Sequence, residues 1–332
     1  NMSEAKVANK FNFKKFFKEN NAIIIFVLLI IIASCLSPNF LSQRNVVNVL
    51  RQQVPYALVG IGCMLVIMTG GIDLSCGAIL GVGSVVIALL LTKESITSVP
   101  ALLGCVVITA LVGGVIGLLN GVLVAYFKMA AFIATLAVMT MAQGLAYILT
   151  NGQPIRLPST PATDALIAFA EIKDPLLGVP VAVYVTLVVI LLFVFLIKWT
   201  SYGRLTIASG SNETAVRLSG INVNLYKAAA YTICGALSAL AGIFVTCRAA
   251  IGTPATVSGG YELDAIAAVV IGGANLEGGK ASVVNTIIGV LIMALIGNIM
   301  NLLSIAAYPQ KVAKGVIIIA AVLLKSIGNK KQ

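Results

Sequence analysis

The sequence predicts an all-α fold: a polytopic membrane helical bundle of about ten transmembrane helices, with a candidate inverted repeat. Hydrophobic residues make up 59% of the 332 residues, only 10% are charged, and the mean hydropathy is +1.05. Soluble domains, by contrast, contain about 25% charged residues. Many apolar runs reach the roughly 20 residues that a helix needs to cross a bilayer. The alternating pattern typical of membrane β-barrels is missing from these runs.

The apolar runs divide the chain into ten predicted spans between two short tails. Residues 1–20 form a basic N-terminal segment, residues 21–327 the transmembrane domain, and residues 328–332 a C-terminal tail. The first run follows lysines as a signal peptide would, but more spans follow and no small-residue cleavage site closes it, so we interpret it as a retained span. The predicted spans are 21–37, 54–71, 74–92, 99–126, 129–149, 176–198, 226–247, 262–275, 281–302 and 310–327.

The basic residues that give the net charge of +11 lie mainly in short loops and tails beside the spans. With the N-terminus in the cytoplasm, 14 of the 22 Lys and Arg residues fall on the cytoplasmic side, as the positive-inside rule expects. Both termini and residues 201–222 are then cytoplasmic. Because the cations flank spans in short loops, we expect membrane lipid and no nucleic acid as a partner.

The remaining polar segments and the cysteines give weaker indications. Residues 38–53 are too polar to span and are expected along the outer interface, and 150–175 is expected as an external loop, either a partner contact or a solvated linker. The six cysteines occur one at a time in apolar segments and the sequence has no histidine. Neither a disulfide framework nor a zinc site is indicated.

Residues 201–222 form a polar island between apolar runs. Asn212 is a favourable helix N-cap, Glu213 and Arg217 stand at i and i+4, and Gly220 suits a left-handed helix end. The pattern predicts a capped helix of about two turns.

Two segments resemble each other and suggest an inverted repeat of 54–149 and 226–327. TGGIDLSCGAI (69–79) and SGGYELDAIAA (258–268) both place an acid, Asp73 or Glu262, after a Gly-Gly break. Such acids cap helix N-termini, which is the structural interpretation. Alternatively, interrupted helices line a water-filled pathway, with Arg248 as a partner for an acid. The residues expected to face this pathway are Asp73, Ser75, Glu262 and Asp264.

Neutral polar residues within the spans are further pathway candidates. Amides suit an uncharged polyol, although hydrogen bonding between helices is the alternative role for any one of them. Glycines at every fourth residue, Gly77 and Gly81 and then 113, 117 and 121, predict close helix packing. Residues 272–282, GGANLEGGKAS, fail the phosphate-loop spacing, so no nucleotide site is indicated. The candidates are Asn120, Gln143, Asn298 and Asn301.

From about residue 20 onward, the chain resembles the permease subunits of bacterial carbohydrate ABC importers, the ribose and galactoside permease group, and most of all its ribose permeases. The similarity rests on motifs spread along the chain. They are LSPNF (36–40), LVIMTGGIDLS (65–75), AFIATL (131–136), LGVP (177–180), YGR (202–204), RLSGINVN (217–224), YELDAIAAVVIGG (261–273) and GGK (278–280).

The resemblance implies a non-enzymatic transport subunit in a bacterial inner membrane, working as a dimer, either a homodimer or paired with a paralogous permease. Its partners would be a cytoplasmic ATPase with two nucleotide-binding halves, which holds the ATP and Mg²⁺, and an external sugar-binding protein. This chain would carry no cofactor. An ion-coupled secondary transporter is the alternative that a repeat alone permits. The helix at 212–220 would contact the ATPase through Asn212, Glu213, Arg217, Leu218, Ser219 and Gly220.

Overall fold

The computed structural model describes residues 21–171 and 178–329. The predicted basic segment 1–20 and the end of the predicted tail, 330–332, lie outside the described residues. The described helices are α1 (Asn21–Leu36), α2 (Gln43–Met68), α3 (Cys76–Leu91), α4 (Val99–Ala125), α5 (Ala131–Thr150), α6 (Pro161–Glu171), α7 (Val181–Trp199), α8 (Ser201–Ser211), α9 (Glu213–Leu218), α10 (Val223–Ala249), α11 (Tyr261–Ile271), α12 (Val283–Leu302) and α13 (Ala307–Asn329).

The predicted polytopic helical bundle is confirmed, and every predicted span contains a helix. Six of the described helices, α2, α4, α5, α7, α10 and α12, are long and apolar enough to cross a membrane. Helices α1 and α3 are shorter, with 16 residues each. The span predicted at 262–275 is wrong as a complete crossing, because α11 has 11 residues and is therefore only about 16 Å long.

Helix α10 lies at the centre and packs against α4, α3 and α2. Its contact with α4 depends on the predicted glycine face. A Cβ on Gly113 would overlap the Gly235 carbonyl, and one on Gly117 would overlap the Tyr231 carbonyl. The backbones therefore approach closely, as small residues at this spacing allow. On the opposite side of α4, Leu111 and Val115 are exposed, so this side suits lipid.

Helices of the two predicted repeat halves pack across each other. Helix α10 of the second half packs on α3 and α4 of the first, whereas α2 of the first half packs on α11 and α12 of the second. In both halves a short helix, α3 or α11, follows the Gly-Gly break.

One sequence-based expectation is wrong, and one of two alternatives for a second segment is corrected. Residues 43–53 do not lie apart from the span that follows, because α2 runs unbroken from Gln43 to Met68 and is capped by Ser42. Of the predicted loop 150–175, the described residues 150–171 are not merely a solvated linker, which was one of the two roles expected for it. Strand β1 (Ile155–Arg156) pairs antiparallel with β2 (Ile251–Gly252), and α6 buries Leu166 in an apolar cluster. Backbone pairing and apolar burial thus hold this connection against the bundle.

Candidate functional site

Two features at opposite ends of the bundle are candidates: a polar cleft beside the first half of α2, and the exposed helix α9. Helix α2 ends at Met68, whose carbonyl accepts from the Gly279 backbone N–H at 3.0 Å. Gly210 in the polar island lies against the same carbonyl. The cleft is near the start of α2, and the island is near its end.

The cleft has a volume of about 330 Å³, at the lower end of the roughly 300–1,000 Å³ of small-molecule pockets. Residues of α2, α11, α12 and α13 line it. Of the predicted pathway residues, it brings together Asp264, Asn298 and Asn301. The other polar lining residues are Asn45, Asn48, Gln52, Gln53, Tyr56, Gln310 and Lys314.

Paired side chains hold the walls of the cleft together. Asn45 on α2 and Asn298 on α12 exchange two amide hydrogen bonds of 2.9 and 2.8 Å. Gln310 donates to the Asn301 side-chain oxygen at 2.8 Å. Each pair joins two different helices, so these contacts restrain the relative positions of the walls.

Asp264 on α11 forms an ion pair with Lys314 on α13 at 2.6 Å. The prediction that Arg248 would be its partner is wrong. Within 21–171 and 178–329, Arg248 forms no ion pair with Asp264 or Glu262. Lys314 reaches the carboxylate because α13 packs against α11, a contact that sequence spacing does not reveal.

Sequence reasoning missed the α2 side of the cleft because it placed residues 38–53 at the outer interface. A usable signal was present. Asn45, Asn48, Gln52 and Tyr56 stand at i, i+3, i+7 and i+11, the spacing of one helix face. Val47 and Val54 are buried. The segment is therefore an amphipathic half-helix.

Asp73, Ser75 and Asn120 form a separate buried network where the chain enters α3. The Asp73 carboxylate accepts from the Ser75 backbone N–H at 2.8 Å and from its hydroxyl at 2.7 Å. Asn120 on α4 donates to the same hydroxyl oxygen at 2.7 Å. All three residues are buried, and none of them lines the cleft. These bonds fix the turn before α3, in agreement with capping.

Glu262 lies at the place where the starts of α3 and α11 meet. It is 8% exposed, and its carboxylate lies against Gly77, where any Cβ would collide with it. The partly positive N-terminal ends of both helices favour this negative group. Gln143 is half-buried on α5 and lies outside the cleft lining. The predicted pathway set therefore divides among several places.

Helix α9 has the cap predicted for the polar island. The Asn212 side chain accepts from the Ala215 backbone N–H at 2.9 Å, Ser219 is the C-cap residue, and Gly220 has φ +79°. The island also contains α8, which sequence reasoning did not predict. Helix α9 buries none of its residues, and Leu218 is 84% exposed. A large apolar side chain is thus presented to the surroundings.

Charged residues fix α9 to the start of α10. Glu213 accepts from Arg217 at 2.6 Å and from Lys227 on α10 at 2.5 Å. Arg217 also donates to the Asn224 side-chain oxygen at 2.5 Å, and Lys128 donates to the same atom at 2.9 Å. Glu213 and Arg217 are therefore already engaged within the chain, not simply free for a partner.

The cation cluster determines the protonation of Glu213. Partial burial acts to raise the pKa of this carboxyl, but the hydrogen bonds and charges of Lys227 and Arg217 outweigh it and lower the pKa to about 2. Desolvation, with Arg217 nearby, lowers the pKa of Lys128. Glu213 is ionised throughout the physiological range.

The fold brings three cysteines from different helices into contact, because Cys63 on α2 contacts both Cys76 on α3 and Cys234 on α10. The thiol sulfurs of Cys63 on α2 and Cys76 on α3 are 3.4 Å apart and buried. Among the residues that the structure describes, no cluster of three or more His, Cys, Asp or Glu is arranged to hold a metal ion.

Comparison with known proteins gives the family. The profile of the family described as branched-chain amino acid transport system / permease component matches residues 45–323. The chain is 42% identical over 319 residues to the ribose import permease protein RbsC of Escherichia coli (strain K12), covering 96% of each. It is 40% identical over 325 residues to the Haemophilus influenzae protein of the same name, covering 97% of this chain and 98% of that one. The Bacillus subtilis protein is 43% identical over 298 residues, covering 90% and 89%. No solved structure matches.

The profile spans most of the chain, and the relatives cover nearly all of it. The predicted resemblance to permease subunits is confirmed. The chain therefore belongs to this family of transport-system permease components.

Proposed function

We propose that the chain is the permease subunit of an ATP-driven importer that carries ribose or a similar monosaccharide across a bacterial inner membrane. The three relatives described above, which match over 89–98% of their own length, are named ribose import permeases. The family description mentions amino acids instead. The polar residues that line the cleft are mainly neutral amides, which supports the sugar, because amides donate to and accept from hydroxyl groups.

The observation that carries the proposal is the exposed helix α9. A six-residue helix is too short to be stable alone, yet α9 is capped and fixed by Glu213 to Lys227 on α10. It presents Leu218, 84% exposed, at the end of the bundle remote from the cleft. We assign it as the contact with a separate cytoplasmic ATPase, which binds ATP and Mg²⁺ in two nucleotide-binding halves.

The path of force follows from the helix contacts. Helix α9 is fixed to α10, and α10 packs along α2, α3 and α4. Movement of α9 on the ATPase would therefore move the helices around the break at Asp73 and, through α2, one wall of the cleft. We propose that the cleft faces outward, receives sugar from an external binding protein, and belongs to a homodimer with both termini in the cytoplasm.

The runner-up function is an ion-coupled secondary transporter, because interrupted helices that meet at their N-termini also occur there. Membrane vesicles that contain the permease with its ATPase and binding protein distinguish the two. With ATP inside and ionophores removing proton and sodium gradients, an ATP-driven importer continues to take up sugar. Loss of uptake under these conditions contradicts the proposal.

The role of α9 is tested with Ala215→Pro. Proline has no N–H, so this change removes the cap bond to Asn212. Leu218→Ser removes the exposed apolar contact without disturbing buried packing. We expect both to reduce sugar uptake and sugar-stimulated ATP hydrolysis by more than about tenfold, since a lost docking contact of about 1.4 kcal/mol or more is worth that factor. Ser95→Pro, an exposed position outside the island, is the matched control. Normal uptake by Ala215→Pro would remove α9 from the mechanism.

A further inference from the structure

The polar residues of the cleft fall into two sets. One set is paired across helices: Asn45 with Asn298, Asn301 with Gln310, and Asp264 with Lys314. The other set lies on α2 and consists of Asn48, Gln52 and Gln53. Within 21–171 and 178–329, no hydrogen bond joins the side chains of this second set to another residue. The walls of the cleft are thus joined by hydrogen-bonded and ion-paired side chains, whereas its α2 side carries three amides that have no partner among the described residues.

The free amides are partly withdrawn from water. All three are half-buried, and each carries two N–H donors and a carbonyl acceptor. Leaving such groups unpaired in a confined site is unfavourable, so a ligand that offers donors and acceptors at several points is stabilised there. Adjacent hydroxyl groups on a sugar ring meet this requirement.

Charge and shape limit the ligand further. The two charged lining residues, Asp264 and Lys314, form an ion pair at 2.6 Å, so the cleft offers a ligand no unpaired charged side chain. Tyr56, one turn beyond Gln52, lines the cleft and packs on Tyr261 with ring centroids 4.9 Å apart. An apolar ring beside free amides suits a molecule with hydroxyls at its edge and C–H groups on its face.

We infer that Asn48, Gln52 and Gln53 are the side chains that hold the sugar in the cleft, while the paired residues set the cleft's width. The inference rests on the proposed function and identifies the residues and ligand class of its substrate site: one uncharged monosaccharide, bound through its hydroxyls. The volume of about 330 Å³ is sufficient for a ligand of this size.

The test uses a thiol reporter that leaves the amides intact. Gly297 lines the cleft, and a Cβ there meets nothing within 4 Å. Gly297→Cys is placed in a Cys35→Ser background, because Cys35 is the exposed cysteine of the described residues and the other five are buried. The rate of reaction with a polar maleimide is measured on the purified full-length permease with increasing ribose. Glu94→Cys, exposed and outside the cleft, reports any general effect of sugar.

We expect ribose to slow labelling at Gly297→Cys and leave Glu94→Cys unaffected. Adding Asn48→Leu, Gln52→Leu or Gln53→Leu should raise the half-protecting ribose concentration by about 3- to 10-fold each, the loss of roughly one hydrogen bond. Gln153→Leu, an exposed amide outside the cleft, should not change it. An unchanged labelling rate without sugar verifies that each variant keeps the cleft.

Three results would overturn the inference: no protection by ribose, equal protection in all amide variants, or protection by leucine instead of ribose. ATP-driven ribose uptake by the unsubstituted protein is measured in parallel. Uptake without amide-dependent protection refutes the amide site but leaves the importer intact. Amide-dependent protection without ATP-driven uptake supports the site and refutes the importer.

Discussion

Replacing Glu213 with glutamine tests how α9 is attached to the bundle. The change keeps the size of the side chain and removes the charge that binds Arg217 within α9 and Lys227 on α10. No buried residue of α9 is affected, because the helix has none. The substitution therefore changes the position of α9 without creating a cavity.

The magnitude follows from two ion pairs that are partly open to solvent. The Glu213 side chain is 35% exposed and that of Lys227 is 19% exposed. Exposed ion pairs contribute roughly 0.2–1 kcal/mol each, so the combined loss of two is about 0.4–2 kcal/mol. The ratio of attached to detached α9 should fall by about 2- to 30-fold. The free energy of global unfolding should hardly change.

Hydrogen exchange of the amides at 213–218 measures this local opening directly. We expect exchange to accelerate by the same factor in Glu213→Gln and sugar uptake to fall, while Glu94→Gln, an exposed acid outside the island, leaves both unchanged. The folded pKa of about 2 lies below the ordinary 4.5. The carboxylate therefore stabilises α9 above pH 4.5 and loses this effect as the pH falls toward 2, with no change between pH 5 and 8. Unaltered exchange in Glu213→Gln would show that the ion pairs do not hold α9.

Two further predictions concern the core. Gly117→Ala should lower the stability of the detergent-solubilised protein by about 1–3 kcal/mol, because its Cβ overlaps the Tyr231 carbonyl. Gly104→Ala is the control and should not lower the stability, because a Cβ there meets nothing within 4 Å. Equal melting temperatures for Gly117→Ala and the unsubstituted protein would contradict the close packing of α4 on α10. A membrane-permeant thiol oxidant should join Cys63 to Cys76, whose sulfurs are 3.4 Å apart, and stop uptake until a reductant is added. Mass spectrometry detects this bond and distinguishes it from a bond between Cys63 and Cys234, which also contacts Cys63; Cys76→Ser is the control. Full uptake by the protein cross-linked between Cys63 and Cys76 would show that α2 and α3 do not separate during transport.

The sequence was sufficient for features that depend on local pattern. Each of the ten predicted apolar runs contains a helix, because a helix needs an apolar run to cross a bilayer, although run length did not show where α2 begins or that α11 is too short to cross. Cap chemistry located α9, because Asn212, the i, i+4 pair and Gly220 act within a few residues of one another. The glycine spacing on α4 predicted close packing for the same reason: every fourth residue lies on one face, whatever helix packs there.

The cleft was harder to predict because its formation depends on which faces meet. Averaged hydropathy treats 43–53 as too polar to span, although Asn45, Asn48 and Gln52 share one face, which lines the cleft, while Val47 on another face is buried. Whether that face meets lipid or a cavity depends on α12 and α13, far away in the chain. The contact of Glu262 with Gly77 likewise depends on packing between the two halves. A polar face that continues directly into an apolar span is therefore better interpreted as a cavity wall than as an interfacial segment. A helix satisfies its own backbone hydrogen bonds, so it can enter the bundle if its polar side chains meet water, a partner or a ligand.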